Sequence, residues 1–136
     1  MVNHYSIRLR ERAKGHYLIT KEILSQLPAL PENGLLNLFI QHTSAGITIN
    51  ENADPTVRQD FDSFMDHIVP ENMPFVKHDI EGPDDMPAHI KSTMVGNSLC
   101  IPIKSGRLLL GTWQGIYLCE YRTYPHSRNL IASIYS

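Results

Sequence analysis

Residues 78 to 92, read as His78-Asp79-Ile80-Glu81-Gly82-Pro83-Asp84-Asp85-Met86-Pro87-Ala88-His89-Ile90-Lys91-Ser92, place two histidines, four acids and one lysine in fifteen positions. Imidazoles beside carboxylates are the equipment of proton transfer and of transition-metal binding, and a purely structural segment has little use for so many titratable groups. His78 falls in a loop and His89 in the first turns of an expected helix over 85–95. The Glu81-Gly82-Pro83 turn between them lets the loop fold back so that the two rings meet.

A third imidazole is offered by His42. It follows Leu36, Leu38 and Ile40 at intervals of two, so it shares the apolar side of an expected strand over 35–42 and points inward or into a cleft. Three neutral imidazoles with one open position form a ligand set suited to Zn²⁺ and related divalent transition ions, whereas Mg²⁺ prefers carboxylate oxygens. His42, His78 and His89 are therefore the candidate metal ligands and catalytic groups, with Glu81 in the loop between the last two as a carboxylate able to pass protons. The remaining histidines, His4, His16, His67 and His126, read as ordinary core or surface residues.

Other polar residues are candidates for holding a substrate. The hydroxyls of Thr43 and Ser44 could orient His42 or meet a phosphate, but the surrounding residues lack the Gly-x-Ser-x-Gly elbow of a serine nucleophile. Lys91 and Arg122 could meet an anion. Trp113 and Gln114 lie between Gly111 and Gly115, which permit close approach of a ligand, and tryptophan could stack on it. Glu120 and Arg122, two apart on one strand, read either as an ion pair at a pocket mouth or as an exposed strand-end pair.

The elements that must position these groups form an α+β pattern, with strands at both ends and helices in the middle. Alternation in Tyr5, Ile7 and Leu9, followed by the run 16–19, predicts an opening hairpin. A short helix is expected over 20–27 with Thr20 as its cap, and strands over 35–42 and 47–50. Asp54-Pro55 starts the clearest helix, to about residue 69, with Val57, Phe61, Phe64, Met65 and Ile68 on one apolar stripe. The 85–95 helix should bury Met86, Ile90 and Met94, leaving His89 about 60° around from Met86 at the edge of that face. Strands over 99–103, 108–112, 116–122 and 130–135 complete an antiparallel or mixed β-sandwich with two main helices.

At 136 residues the chain fits a single domain spanning 1–136, able to bury about two-thirds of its unfolded surface. A hydrophobic content of 42%, 19% charged residues and a formal charge of -2 describe an ordinary globular protein and argue against a nucleic-acid partner. No apolar run reaches eighteen residues, so a cytoplasmic protein without a membrane partner is expected. Cys100 and Cys119 read as two buried free thiols, since no Cys-x-x-Cys spacing is present. Late strands apolar on both sides hint at oligomerisation.

Four blocks of the chain resemble the signature segments of the YjbQ family: Gln41 to Ala45, Asn50-Glu51-Asn52 with Asp54-Pro55, His78 to Ser92, and Ser105-Gly106-Arg107 followed by Gly111 to Ile116. The resemblance runs from end to end. It implies a compact α+β fold assembled as a homotrimer, with His42, His78 and His89 on the family's histidine positions, near a subunit boundary. Glu51, Glu81, Trp113, Gln114, Glu120 and Arg122 fall on neighbouring motif positions, which adds Glu51 to Glu81 as a catalytic carboxylate able to pass protons. The family is labelled a secondary thiamine-phosphate synthase, which would join a pyrimidine diphosphate to a thiazole phosphate. The alternatives are metal-assisted hydrolysis or phosphoryl-group chemistry on a small phosphorylated metabolite, and a trimer that binds metal or metabolite without turnover. One departure is local: Glu81-Gly82-Pro83 stands where many family members carry Glu-Gly-Asn, which makes this loop stiffer.

Overall fold

The structure, a computed structural model, describes residues 1–136. Its strands are β1 (Val2–Arg8), β2 (Gly15–Leu18), β3 (Asn33–Ile40), β4 (Ala45–Glu51), β5 (Ser98–Lys104), β6 (Arg107–Leu108), β7 (Gln114–Glu120) and β8 (Asn129–Tyr135). Three helices intervene: α1 (Thr20–Leu24), α2 (Pro55–Ile68) and α3 (Asp85–Val95). All strand pairs are antiparallel, in one sheet ordered β1-β8-β3-β5-β6 and another ordered β2-β7-β4.

The two sheets face each other across the main core. Alternation along β3 sends Leu36, Leu38 and Ile40 inward, while Leu35 and Phe39 on its other side stay over 40% exposed. Ile101 and Ile134 flank Leu36 from the neighbouring strands, and Ile47, Ile116 and Leu118 close the core from the smaller sheet. The other side of β7 carries Tyr117 and Cys119, followed just past the strand by Tyr121, into a second cluster with Ala88, against which Phe61, Met65 and Val95 pack. This three-layer order explains why β7 is apolar on both sides: one side meets a sheet and the other meets helices. No helix is long and apolar enough to cross a membrane.

Several expectations are corrected. β1 and β2 do not form a hairpin: β1 pairs with β8 and β2 with β7, in different sheets. The chain between them is tied down by Leu9 N–H to Arg128 O at 2.8 Å and by reciprocal bonds between Arg12 and His126, so it crosses from one sheet to the other. α1 ends at Leu24, and Thr20 does not cap it; its hydroxyl accepts Ile116 N–H at 2.9 Å instead. The strand expected over 108–112 is confined to Arg107–Leu108, because the following chain turns at Gly111, whose N–H donates to Gln114 Oε1. Cys119 is buried but Cys100 is exposed; both are free. Burial pushes the Cys119 thiol up to about 12.

α2 begins as its sequence dictates: Asp54 accepts Thr56 N–H at 2.9 Å, with proline in the first turn. Only part of its stripe is covered, since Phe64 and Ile68 are 66% and 55% exposed. α3 differs more. Its inward residues are Asp85, Ala88 and Lys91, whereas Ile90 and Met94 face out. Asp85 is drawn in by Arg122 and Lys91 by Asp66, both at hydrogen-bond distance, and these pairs fix the helix's rotation.

Candidate functional site

The inward rotation of α3 puts a carboxylate where an apolar residue was expected. Asp85 is 3% exposed, and one oxygen, Oδ1, accepts Arg122 Nη1 at 2.9 Å. The other, Oδ2, lies 2.9 Å from His78 Nε2 and 3.2 Å from His89 Nε2. The donor atoms of His78, Asp85 and His89 all fall within 4.8 Å of one another, and the two rings are 5.4 Å apart between centroids. Exposure is graded: the carboxylate forms the floor, and the side chains of His89 and His78 open outward at 28% and 54%.

Local backbone features deliver these groups. Gly82 at φ +108 makes the turn before α3, a conformation that suits glycine. At the helix's far end Gly46 admits α3 against β4, for a Cβ there would meet Gly96 O at 2.9 Å and Val95 Cγ1 at 3.0 Å. That close approach brings Thr43 O to within 2.8 Å of His89 Nδ1 and 2.7 Å of the Ser92 hydroxyl. A carbonyl only accepts, so His89 Nδ1 carries the proton. In the neutral ring the Nε2 lone pair then faces Asp85 Oδ2. At 3.2 Å that contact is satisfied either by a proton on Nε2 or by a metal ion held by both atoms.

Arg122 braces the floor. Its Nε donates to Asp84 Oδ2 at 2.9 Å and its Nη2 to Glu81 O at 3.0 Å, while Thr123 N–H also donates to Asp84. Burial opposes the charge on Asp84, but the Thr123 amide and the Arg122 guanidinium outweigh it and hold the carboxyl below its ordinary range. Burial likewise opposes the charge on Arg122, and Asp84, Asp85 and Glu81 more than offset it, so its pKa is raised. Arg122 is thus consumed by its own chain.

The structure joins two of the three histidines expected from sequence and supplies Asp85 beside them. His42 lies outside this group: its Nε2 accepts Asn129 N–H at 2.8 Å. Burial and the Arg128 cation hold the His42 pKa below its ordinary value. Glu81 stays close, with Oε2 at 3.6 Å from Arg122 Nη1 and a side chain 67% exposed. Glu51 instead accepts Asp54 N–H at the entrance to α2, and its carbonyl accepts the Tyr117 hydroxyl. Thr43 contributes its carbonyl to the site; the Ser44 hydroxyl is engaged by Arg128 at 2.9 Å.

Lys91 is 2% exposed, with Nζ 2.7 Å from Asp66 and 5.6 Å from the Tyr121 ring centre, so its charge is spent inside. Trp113 is 65% exposed and Gln114 caps Gly111, in a loop tied to Asn52. Glu120 forms no ion pair with the Arg122 guanidinium; its carboxylate holds Arg128 and accepts the Arg122 backbone N–H. Asp84, Asp85 and Arg128 are the site and framework residues that the sequence reading did not single out. Asp85 had a signal: Asp85 and His89 stand four apart on one helix, which stacks a carboxylate over an imidazole on one side.

Comparison with known proteins agrees with this architecture. The family model described as UPF0047 protein YjbQ-like matches residues 5–136. The UPF0047 protein YjbQ of Escherichia coli O157:H7 is 50% identical over 131 residues, covering 95% of this chain and 94% of that protein. The UPF0047 protein YugU of Bacillus subtilis is 43% identical over 76% of each. Among solved structures, a conserved hypothetical protein from Thermus thermophilus superposes with a TM-score of 0.82 at 33% identity, covering 93% of this chain and 97% of that one. With the match running through both sheets and the segment that carries His78, Asp85 and His89, the chain belongs to the YjbQ-like UPF0047 family.

Proposed function

We propose that this chain is a metal-dependent enzyme acting on a small phosphorylated metabolite, with His78, Asp85 and His89 as the ligands of a divalent transition ion, zinc foremost. The observation that carries this reading is convergence: His78 Nε2, His89 Nε2 and Asp85 Oδ2 lie within 4.8 Å of one another, with Thr43 O at 2.8 Å from His89 Nδ1 on the far side of the ring. Two imidazoles and one carboxylate with an open side are a donor set that zinc and iron both accept. His78, Asp85 and His89 would hold the ion, which would supply Lewis acidity toward a phosphoryl oxygen and lower the pKa of water.

The chain's own residues do the rest. Arg122 fixes the Asp85 carboxylate so that Oδ2 stays aimed at the histidines. Glu81, with its exposed side chain beside Arg122, is the carboxylate placed to take a proton from the substrate side. Hydrolysis or phosphoryl-group chemistry suits this arrangement better than release of pyrophosphate, because Arg122 and Lys91 are already engaged by carboxylates. The synthase activity implied by the family label is then a side activity. A purely structural metal site would close its fourth position, whereas the His78 side chain is 54% exposed.

A homotrimer is part of the proposal. Its support is the outward side of the larger sheet, where Leu35, Phe39 and Tyr135 are each over 40% exposed. Metal analysis and calorimetric titration with Zn²⁺ test the site: uptake of about one ion per chain, lost in Asp85→Asn and His89→Ala but kept in His42→Gln, is expected. Equal uptake by all three variants would overturn it. A monomeric mass in sedimentation at micromolar concentration would remove the trimer.

A further inference from the structure

We propose that the groove beside this cluster seats an alkyl chain, so that the substrate is an alkyl phosphate whose hydrocarbon body lies against α3 and whose anionic end reaches His78. The inference rests on the metal-site reading above for the chemistry, but on separate observations for the groove. A cavity of about 610 Å³ is walled by the end of α2 (Ile68), the following loop (Met73, Val76) and α3 (Met86, Ile90). That volume lies within the roughly 300–1,000 Å³ of small-molecule sites.

The lining is selective in composition. Its side chains include no carboxylate, amide or hydroxyl, and its two polar members, Lys77 and His78, are both basic. A heteroaromatic or sugar body would find no side-chain hydrogen-bond partner on most of these walls, whereas an alkyl body would take their exposed apolar surface out of water. Lys77, the one cation in the lining, matches an anion at one end of the ligand, next to the proposed metal ligand His78. His78 also lines a second cavity, of about 460 Å³, with Asn72, Asp79 and Gly82. The same ring therefore borders the apolar groove, this second cavity and the Asp85 carboxylate. A ligand lying in the groove presents its head where the proposed chemistry occurs.

The apolar walls are open to water, with Ile68, Met73, Phe75 and Ile90 between 37% and 73% exposed. A second copy of the chain seated there would cover His78, the open side of the cluster. A small ligand leaves that side accessible.

Calorimetric titration with octyl phosphate and ethyl phosphate tests the groove, using the full chain as zinc-loaded and zinc-free samples. Octyl phosphate should bind at least about tenfold more tightly than ethyl phosphate, as burial of several methylenes requires. Ile90→Asp and Met73→Asp, both at exposed positions, should each abolish that preference while retaining Zn²⁺ uptake. Equal binding of the two esters, or an octyl preference that survives both substitutions, would overturn the proposal. A fall in assembly mass with Ile90→Asp would assign the groove to a second copy and overturn it too. If Zn²⁺ does not bind but the octyl preference persists in the metal-free protein, the groove stands and the metal reading falls.

Discussion

Two arginine–carboxylate pairs sit close together in this fold and serve opposite ends. Glu120 is fully buried, and both its oxygens lie 2.6 Å from Arg128 nitrogens, with Oε2 also accepting Arg122 N–H. Arg128 spends its remaining reach on Ser44. Glu120 makes no hydrogen bond to an imidazole. Asp85 gives one oxygen to Arg122 and turns the other toward His78 and His89. The same chemical pair becomes a lock when both oxygens are saturated by one guanidinium, and a candidate site when one oxygen is left facing two imidazole nitrogens. Arg122 connects the two, for its amide serves Glu120 and its guanidinium serves Asp85.

Breaking each pair should separate these roles. Glu120→Leu strands the Arg128 charge between the sheets, and a loss of about 3–5 kcal/mol is expected in urea unfolding. Asp85→Asn should cost less stability, because its neighbours are partly solvated, yet weaken Zn²⁺ binding by about a hundredfold or more in calorimetric titration. Comparable stability losses in the two variants would erase the distinction between lock and site. Arg122→Leu probes the link: Zn²⁺ affinity should fall by about tenfold, the scale of a residue that orients a ligand, with the ligands themselves intact. If affinity is unchanged, Arg122 does not orient Asp85.

The lock was hard to see in the sequence because it joins residues through space. Glu120 and Arg122 look like a pair along the strand, but side chains two apart also share a side with whatever the opposite sheet presents, and Arg128 reaches in after the turn. The hairpin expected between β1 and β2 failed for a similar reason: β1 pairs with β8 at the far end of the chain, a match with no local signature. Local chemistry was legible. Asp54-Pro55 announced α2, and the alternation of Leu36, Leu38 and Ile40 gave the core side of β3.

The candidate site was legible in the same measure. His78 and His89 were found from their density of titratable neighbours, and Arg122 from its strand position. The rotation of α3 was not, because apolar periodicity pointed Met86, Ile90 and Met94 inward while ion pairing at Asp85 and Lys91 decided otherwise. A helix of eleven residues with two buried charges can be turned by those charges against its weak apolar stripe.

His42 offers the smallest and most selective test of the lock, since its ring lies on the Arg128 side of the molecule and takes no part in the His78 cluster. Its Nε2 must be unprotonated to accept Asn129 N–H. Burial and the Arg128 cation both disfavour the imidazolium, so its folded pKa lies below the ordinary value of about 6.5. Between the two values the unfolded chain binds more protons, and stability rises with pH. The contribution is complete above about 6.5 and is lost progressively as pH falls from there through the lower folded value. Urea unfolding followed from about pH 8 to about pH 5 should therefore show a decline that His42→Gln flattens, because a glutamine carbonyl can accept the same amide without titrating. Asp85→Asn should leave that slope in place if the lock and the site respond separately, and a slope altered by Asp85→Asn but not by His42→Gln would place the pH response in the site instead.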